Sequence, residues 1–99
     1  MITIIANFDV KPSMAEDFIK CATDLTRETR KERGCLSYKV MHERKNTAKF
    51  TFIEEWLNDV AIEAHNNSKH FMCFADTVKP MLNKDIEITQ YEKIPSVFF

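Results

Sequence analysis

The chain has 99 residues, 44% hydrophobic and 29% charged, a balance that suits one folded domain over residues 1–99 and is too apolar for disorder. Fourteen basic side chains against fifteen acidic ones leave a net charge of -1, which offers no electrostatic footprint for nucleic acid or an anionic membrane. The single glycine, Gly34, excludes phosphate loops and dinucleotide fingerprints, which need several glycines close together. No apolar run reaches the roughly 18 residues of a membrane span. The opening MITIIANFDV lacks the basic start and cleavage site of a secretory signal, so a cytoplasmic location is expected. Cys21, Cys35 and Cys73 are odd in number and form no CxxC pair, which fits core thiols in a reducing compartment.

Ile2, Ile4, Ala6, Phe8 and Val10 alternate with Thr3, Asn7 and Asp9, the period of a half-buried strand. Pro12 ends it, and Ser13 followed by Glu16 has capping-box spacing, so a helix is expected to start there. Met14, Phe18, Cys21, Ala22, Leu25 and Thr29 recur at three and four residues and form its apolar stripe. The basic run Arg30 to Arg33 and then Gly34 suit a helix C-terminus, the cations through the macrodipole and the glycine through left-handed geometry. Leu36, Tyr38 and Val40, then Phe50, Phe52, Ile53 and Trp56, mark two strands of a hairpin turning at Arg44 to Thr47. Asn58 or Asp59 can cap a further helix, with Val60, Ala61 and Ala64 as apolar positions. The polar stretch Asn66 to Lys69 interrupts it before Phe71, Phe74, Ala75 and Val78, so two short helices or one broken one are expected. Pro80 stops this region, and Ile86, Ile88, Thr89, Tyr91 and Ile94 form a last strand.

The order β, α, β, β, α(α), β predicts an α+β, ferredoxin-like fold: a four-stranded antiparallel sheet with helices on one face. Ile5 and Ile53 are out of phase with their apolar neighbours. The uncovered face is therefore expected to meet a second sheet in a homodimer, joined by the apolar tail from Pro95 to Phe99.

This element order, the strand end Glu54-Glu55-Trp56 and the segment Ala64-His65-Asn66-Asn67-Ser68-Lys69-His70-Phe71 resemble the antibiotic biosynthesis monooxygenase family, which includes quinol monooxygenases. The resemblance covers nearly the whole chain. It implies a dimeric α+β barrel with a substrate pocket between each protomer's sheet and helices. It also implies oxygenation of a small phenol, quinol or enol by O2 with no cofactor, the protein supplying a base and hydrogen bonds to the substrate anion. An isomerase on the same scaffold and a non-catalytic ligand-binding or stress protein are the alternatives. Asn7 matches a functional asparagine of the family's haem-degrading branch. An ungapped alignment from Trp56 puts His65 at that branch's catalytic tryptophan and Ala75 at its haem-ligating histidine, so haem degradation is not expected.

His65 is the expected base, since imidazole titrates near neutral pH, and Asn7, unusual inside a strand, is the group that would orient the anion or oxygen. Tyr38, Trp56, His70, Phe71 and Phe74 are expected to bind substrate, with Phe52 and Met72 as further lining. His42 is expected at the surface or beside the core. On one continuous helix His65 and His70 would stand about 140° apart, and no carboxylate completes a ligand set, so no metal is expected. Glu54 and Glu55 face opposite sides of their strand, one of them pairing with a cation, and the charge run Arg27 to Arg33 reads as the solvated end of a helix.

Overall fold

The structure, a computed structural model, describes residues 1–95. Strand β1 (Ile2–Asp9) leads through a 3-10 turn (Pro12–Met14) into helix α1 (Ala15–Thr29). The hairpin β2 (Cys35–His42) and β3 (Lys49–Trp56) follows, then helices α2 (Asp59–Asn66) and α3 (Lys69–Val78) and the final strand β4 (Glu87–Glu92). The sheet order is β2-β3-β1-β4 with every neighbouring pair antiparallel, the ferredoxin-like arrangement expected from the sequence. The expected tail contact of Val97, Phe98 and Phe99 lies outside the described residues.

The period-two pattern sets the two faces. Ile4, Ala6 and Phe8 of β1 and Phe50, Phe52, Glu54 and Trp56 of β3 are buried on the side the helices cover. Phe18, Ala22, Leu25 and Thr29 form the buried stripe of α1, and Phe8, Phe18, Phe50, Phe52 and Phe74 interlock with ring centroids 4.6–6.3 Å apart. Burying each such ring contributes about 1.5–3 kcal/mol, which makes this cluster the main anchor of helices to sheet.

Several local expectations are corrected. Ser13 makes no capping hydrogen bond; Pro12 starts a 3-10 turn, and α1 begins only at Ala15 behind Met14. A register shift between Cys35 and Ser37 takes Leu36 out of the alternation and leaves it exposed. Cys73 is exposed, and Cys21 and Cys35 are half-buried, so none of the three thiols is a fully enclosed core residue. The buried face of α2 is Ile62 and His65, while Val60 and Ala64 are exposed.

Gly34 does not adopt left-handed geometry. Its missing side chain serves close approach instead: a Cβ there would collide with the Cβ of Ala61 in the first turns of α2. The Leu57 amide donates to the Gly34 carbonyl at 2.9 Å, and Asn58 caps α2 by accepting from the Ala61 amide at 2.9 Å. The start of α2 is thereby pressed onto the α1–β2 loop, which carries Glu32. Arg30 is not simply solvated, since its guanidinium donates to the Tyr38 carbonyl at 2.8 and 3.2 Å and ties the end of α1 to β2.

Candidate functional site

Two helices meet at Ser68, whose hydroxyl donates to the His65 carbonyl at 2.6 Å and accepts from the Phe71 amide at 3.2 Å. One side chain thus closes α2 and caps α3, and the chain changes direction between His65 and His70. The two imidazoles consequently converge, which corrects the separation expected for a single helix. His65 Nδ1 and His70 Nε2 each lie 2.7 Å from the same oxygen, Oε2 of Glu32.

His65 is 3% exposed. Its ring lies 4.6 Å from that of Trp56 and 4.8 Å from that of Phe71. With Glu32 accepting at Nδ1, the proton of the neutral ring belongs there, leaving Nε2 as a bare acceptor. That Nε2 is buried without a hydrogen-bond partner among the described residues. Burial pushes the His65 pKa below the ordinary imidazole value and His70 adds to this, while the hydrogen bond and charge of Glu32 oppose it. The ring is therefore neutral, and able to accept a proton, at neutral pH.

His65 borders a cavity of about 90 Å³ between sheet and helices. Tyr38, Phe71 and Phe74 line it, as expected, together with Phe52 and Glu54, and the exposed Ile88 and Gln90 of β4 stand on its open side. Trp56 does not line the cavity but packs behind His65, fully buried. His70 reaches Glu32 rather than the cavity, and Met72 is exposed. Burial raises the Tyr38 pKa, so this side chain stays a neutral phenol able to donate.

Glu54 is 7% exposed, and its Oε1 accepts from the Trp56 indole N–H at 2.9 Å. Instead of the cation expected for one of the two glutamates, its partner is an aromatic ring. Burial pushes its pKa up to about 7, opposed by the Trp56 hydrogen bond and reinforced by the charge of Glu32. A carboxyl in this range can both hold and release a proton at neutral pH.

Asn7 is not brought to His65. It points from the uncovered face of the sheet, where its Oδ1 accepts from the Thr51 hydroxyl at 2.7 Å, beside a polar cleft with Asp9, Lys49 and Glu87. Alternation decides this, because Ala6 and Phe8 take the buried side. His42 is exposed and borders a wider groove of about 890 Å³ between α1 and β2, floored by Val40 and Phe50. That groove is larger than the cavity, but its described lining carries no carboxylate to pair with His42.

Sequence reasoning missed Glu32 and Glu54. Nothing in the spacing marks Glu32, which is 33 residues from His65 and 38 from His70. Glu54 did carry a signal: it shares a strand face with Phe50, Phe52 and Trp56, an acid set in an apolar row.

The family model described as antibiotic biosynthesis monooxygenase matches residues 1–77. The chain belongs to this family. An uncharacterised Synechocystis protein, sll1783, is 31% identical over 92% of this chain, which spans 62% of that relative's length. YcnE of Bacillus subtilis, whose name carries a proposed monooxygenase activity, is 28% identical over 93% of this chain and 97% of its own. A conserved protein of Methanosarcina mazei Go1 of known crystal structure is 33% identical and superposes with a TM-score of 0.90, covering 94% of this chain and 92% of that one. Among the described residues, no helix is long and apolar enough to cross a membrane.

Proposed function

We propose that the protein is a cofactor-independent monooxygenase that oxidises a small phenol, quinol or enol with O2. The observation that carries this reading is His65: Nδ1 held by Glu32, Nε2 unpartnered, and the ring set in the wall of an apolar cavity. In this reading Nε2 takes the substrate hydroxyl proton, and the resulting anion reduces O2. One oxygen atom ends on the substrate carbon and the other leaves as water, all electrons coming from the substrate. Glu54, with a pKa of about 7, supplies a proton to the departing oxygen. Tyr38, Phe71 and Phe74 hold the ring, and the small cavity requires Ile88 and Gln90 to swing aside on entry. Asn7 has no part in the site.

A homodimer through the uncovered sheet face belongs to the same proposal, supported by the half-buried cross-strand pair Ile5 and Ile53 on that face. Sedimentation showing a stable monomer at micromolar concentration would contradict the dimer.

The test is oxygen uptake by chelator-treated protein across hydroquinones and polyphenols. Uptake is expected to fall about 10²–10⁴-fold in His65→Ala, the range for losing a positioned base. It is also expected to decline as pH drops and Nε2 is protonated. Uptake that His65→Ala leaves unchanged would remove His65 from the mechanism.

A further inference from the structure

Glu32, His65 and His70 come from three separate segments: the α1–β2 loop, the end of α2 and the start of α3. They deliver one oxygen and two nitrogens to a single point, all within 4.8 Å of one another. The surroundings are short of positive charge. The Glu32 side chain is only 17% exposed, and among the described residues no Lys or Arg pairs with it. Its neighbour Lys31 turns to Glu28, and Arg30 turns to the Tyr38 carbonyl. The carboxylate of Glu32 acts on buried Glu54 as a like charge. Both imidazoles and the carboxylate thus aim their polar atoms at one meeting point inside a partly buried site, and a divalent cation there would take all three as ligands and give the Glu32 carboxylate its counter-charge.

We propose that Glu32, His65 and His70 form a binding site for a divalent first-row transition-metal ion, of which Zn²⁺ is the natural probe. Two imidazole nitrogens and one carboxylate oxygen suit such ions and are too rich in nitrogen for Mg²⁺ or Ca²⁺. Three protein ligands leave a fourth position for water. Zinc ligands at about 2.0–2.2 Å and tetrahedral angles lie roughly 3.3 Å apart, so Oε2 must withdraw from each nitrogen by about half an ångström. Glu32 and His70 can make that adjustment, being the two partly exposed members, whereas His65 is fixed between Trp56 and Phe71.

Binding changes the tautomer of His65. Nδ1 gives its lone pair to the metal and the ring proton moves to Nε2, with no net proton released. Nε2, buried and without a hydrogen-bond partner among the described residues, then becomes a donor instead of an acceptor. His70 makes the matching change from Nε2–H to Nδ1–H.

The experiment titrates chelator-stripped protein with ZnCl2 by calorimetry and with CoCl2 by visible absorption, at a pH where imidazole is neutral. The expected result is one ion per chain with a Kd at or below about 1 μM, unaffected by excess Mg²⁺, with a low-coordinate cobalt spectrum. The ¹⁵N resonances of His65 are expected to exchange their protonated and bare characters on Zn²⁺ addition. Glu32→Gln and His70→Ala, checked for folding by circular dichroism, are each expected to weaken binding about tenfold or more, and exposed His42→Ala to leave it unchanged. Absence of saturable one-to-one binding to the unsubstituted protein would overturn the proposal without reference to any variant. So would binding that survives both Glu32→Gln and His70→Ala.

Discussion

The two faces of the sheet are built from the same strands and differ in almost every physical respect. Against the helices, Phe8, Phe52 and Trp56 are almost wholly enclosed, and the ionisable groups lining the cavity on that side, Tyr38, Glu54 and His65, all have displaced pKa values. On the other face Asn7 and Thr51 satisfy each other near solvent, and Ile5 and Ile53 are half-buried. Chemistry concentrates where water is excluded, because there each unpaired polar atom has no alternative partner and its proton affinity is set by one or two neighbours. A polar residue on the open face has solvent to fall back on, so its presence says little about function.

The contrast breaks most visibly at adjacent residues of β3. Phe52→Ala removes a buried ring and is expected to destabilise the protein by about 3–5 kcal/mol in urea unfolding, and Ile53→Ala by about 1 kcal/mol or less. The smaller loss follows from the half-buried position of Ile53 within the protomer; a loss comparable to that of Phe52→Ala would mean that a partner protomer packs this face as thoroughly as the helices pack the other.

Glu54 sharpens the same contrast through pH. The folded protein holds the Glu54 proton up to about pH 7, whereas the unfolded chain releases it near 4.5. Within that window the unfolded state binds fewer protons, so stability falls as pH rises. Glu54→Gln keeps an acceptor for the Trp56 N–H and removes the ionisation. At about 1.36 kcal/mol per pH unit, it should stabilise the protein above pH 7 by up to about 3 kcal/mol, with the gain vanishing towards pH 4. A gain independent of pH would show that Glu54 is ionised at no cost. The smallest effect is expected at Asn7→Ala: a stability change within about 0.5 kcal/mol and oxygen uptake unaltered. Loss of uptake in that variant, with the fold intact, would place part of the reaction on the open face.

The residues that were misplaced share a physical cause. Strand alternation and the stripe of α1 depend on neighbours within a few positions, and both were legible. Asparagine is unusual in a strand, which singles out Asn7, but strand propensity does not report which face is dry; the burial of Ala6 and Phe8 does. On one continuous helix His65 and His70 stand far apart, and the polar stretch between them marks a break without giving the direction the chain takes after it. Once Ser68 closes one helix and opens the next, an angle computed along a single axis no longer applies. Glu32 lay in a charged run that resembles any solvated helix end, and only Gly34, by letting α2 close onto the α1–β2 loop, turns that residue into a partner for both histidines.

By itself, the sequence determined the strands, the helices and their approximate limits, a cap at Asn58 or Asp59, and enough of a motif to show the resemblance to the family. These are properties of local periodicity and short-range hydrogen bonding, which the chain carries wherever it goes. Tertiary structure alone decided that Glu32 joins His65 to His70, that Glu54 sits on Trp56 beside the cavity, and that Asn7 faces away from both. Such meetings join side chains distant along the chain. They depend on the direction each helix takes after a break and on how closely two backbones can approach, and neither is written in the identity of the residues that finally touch.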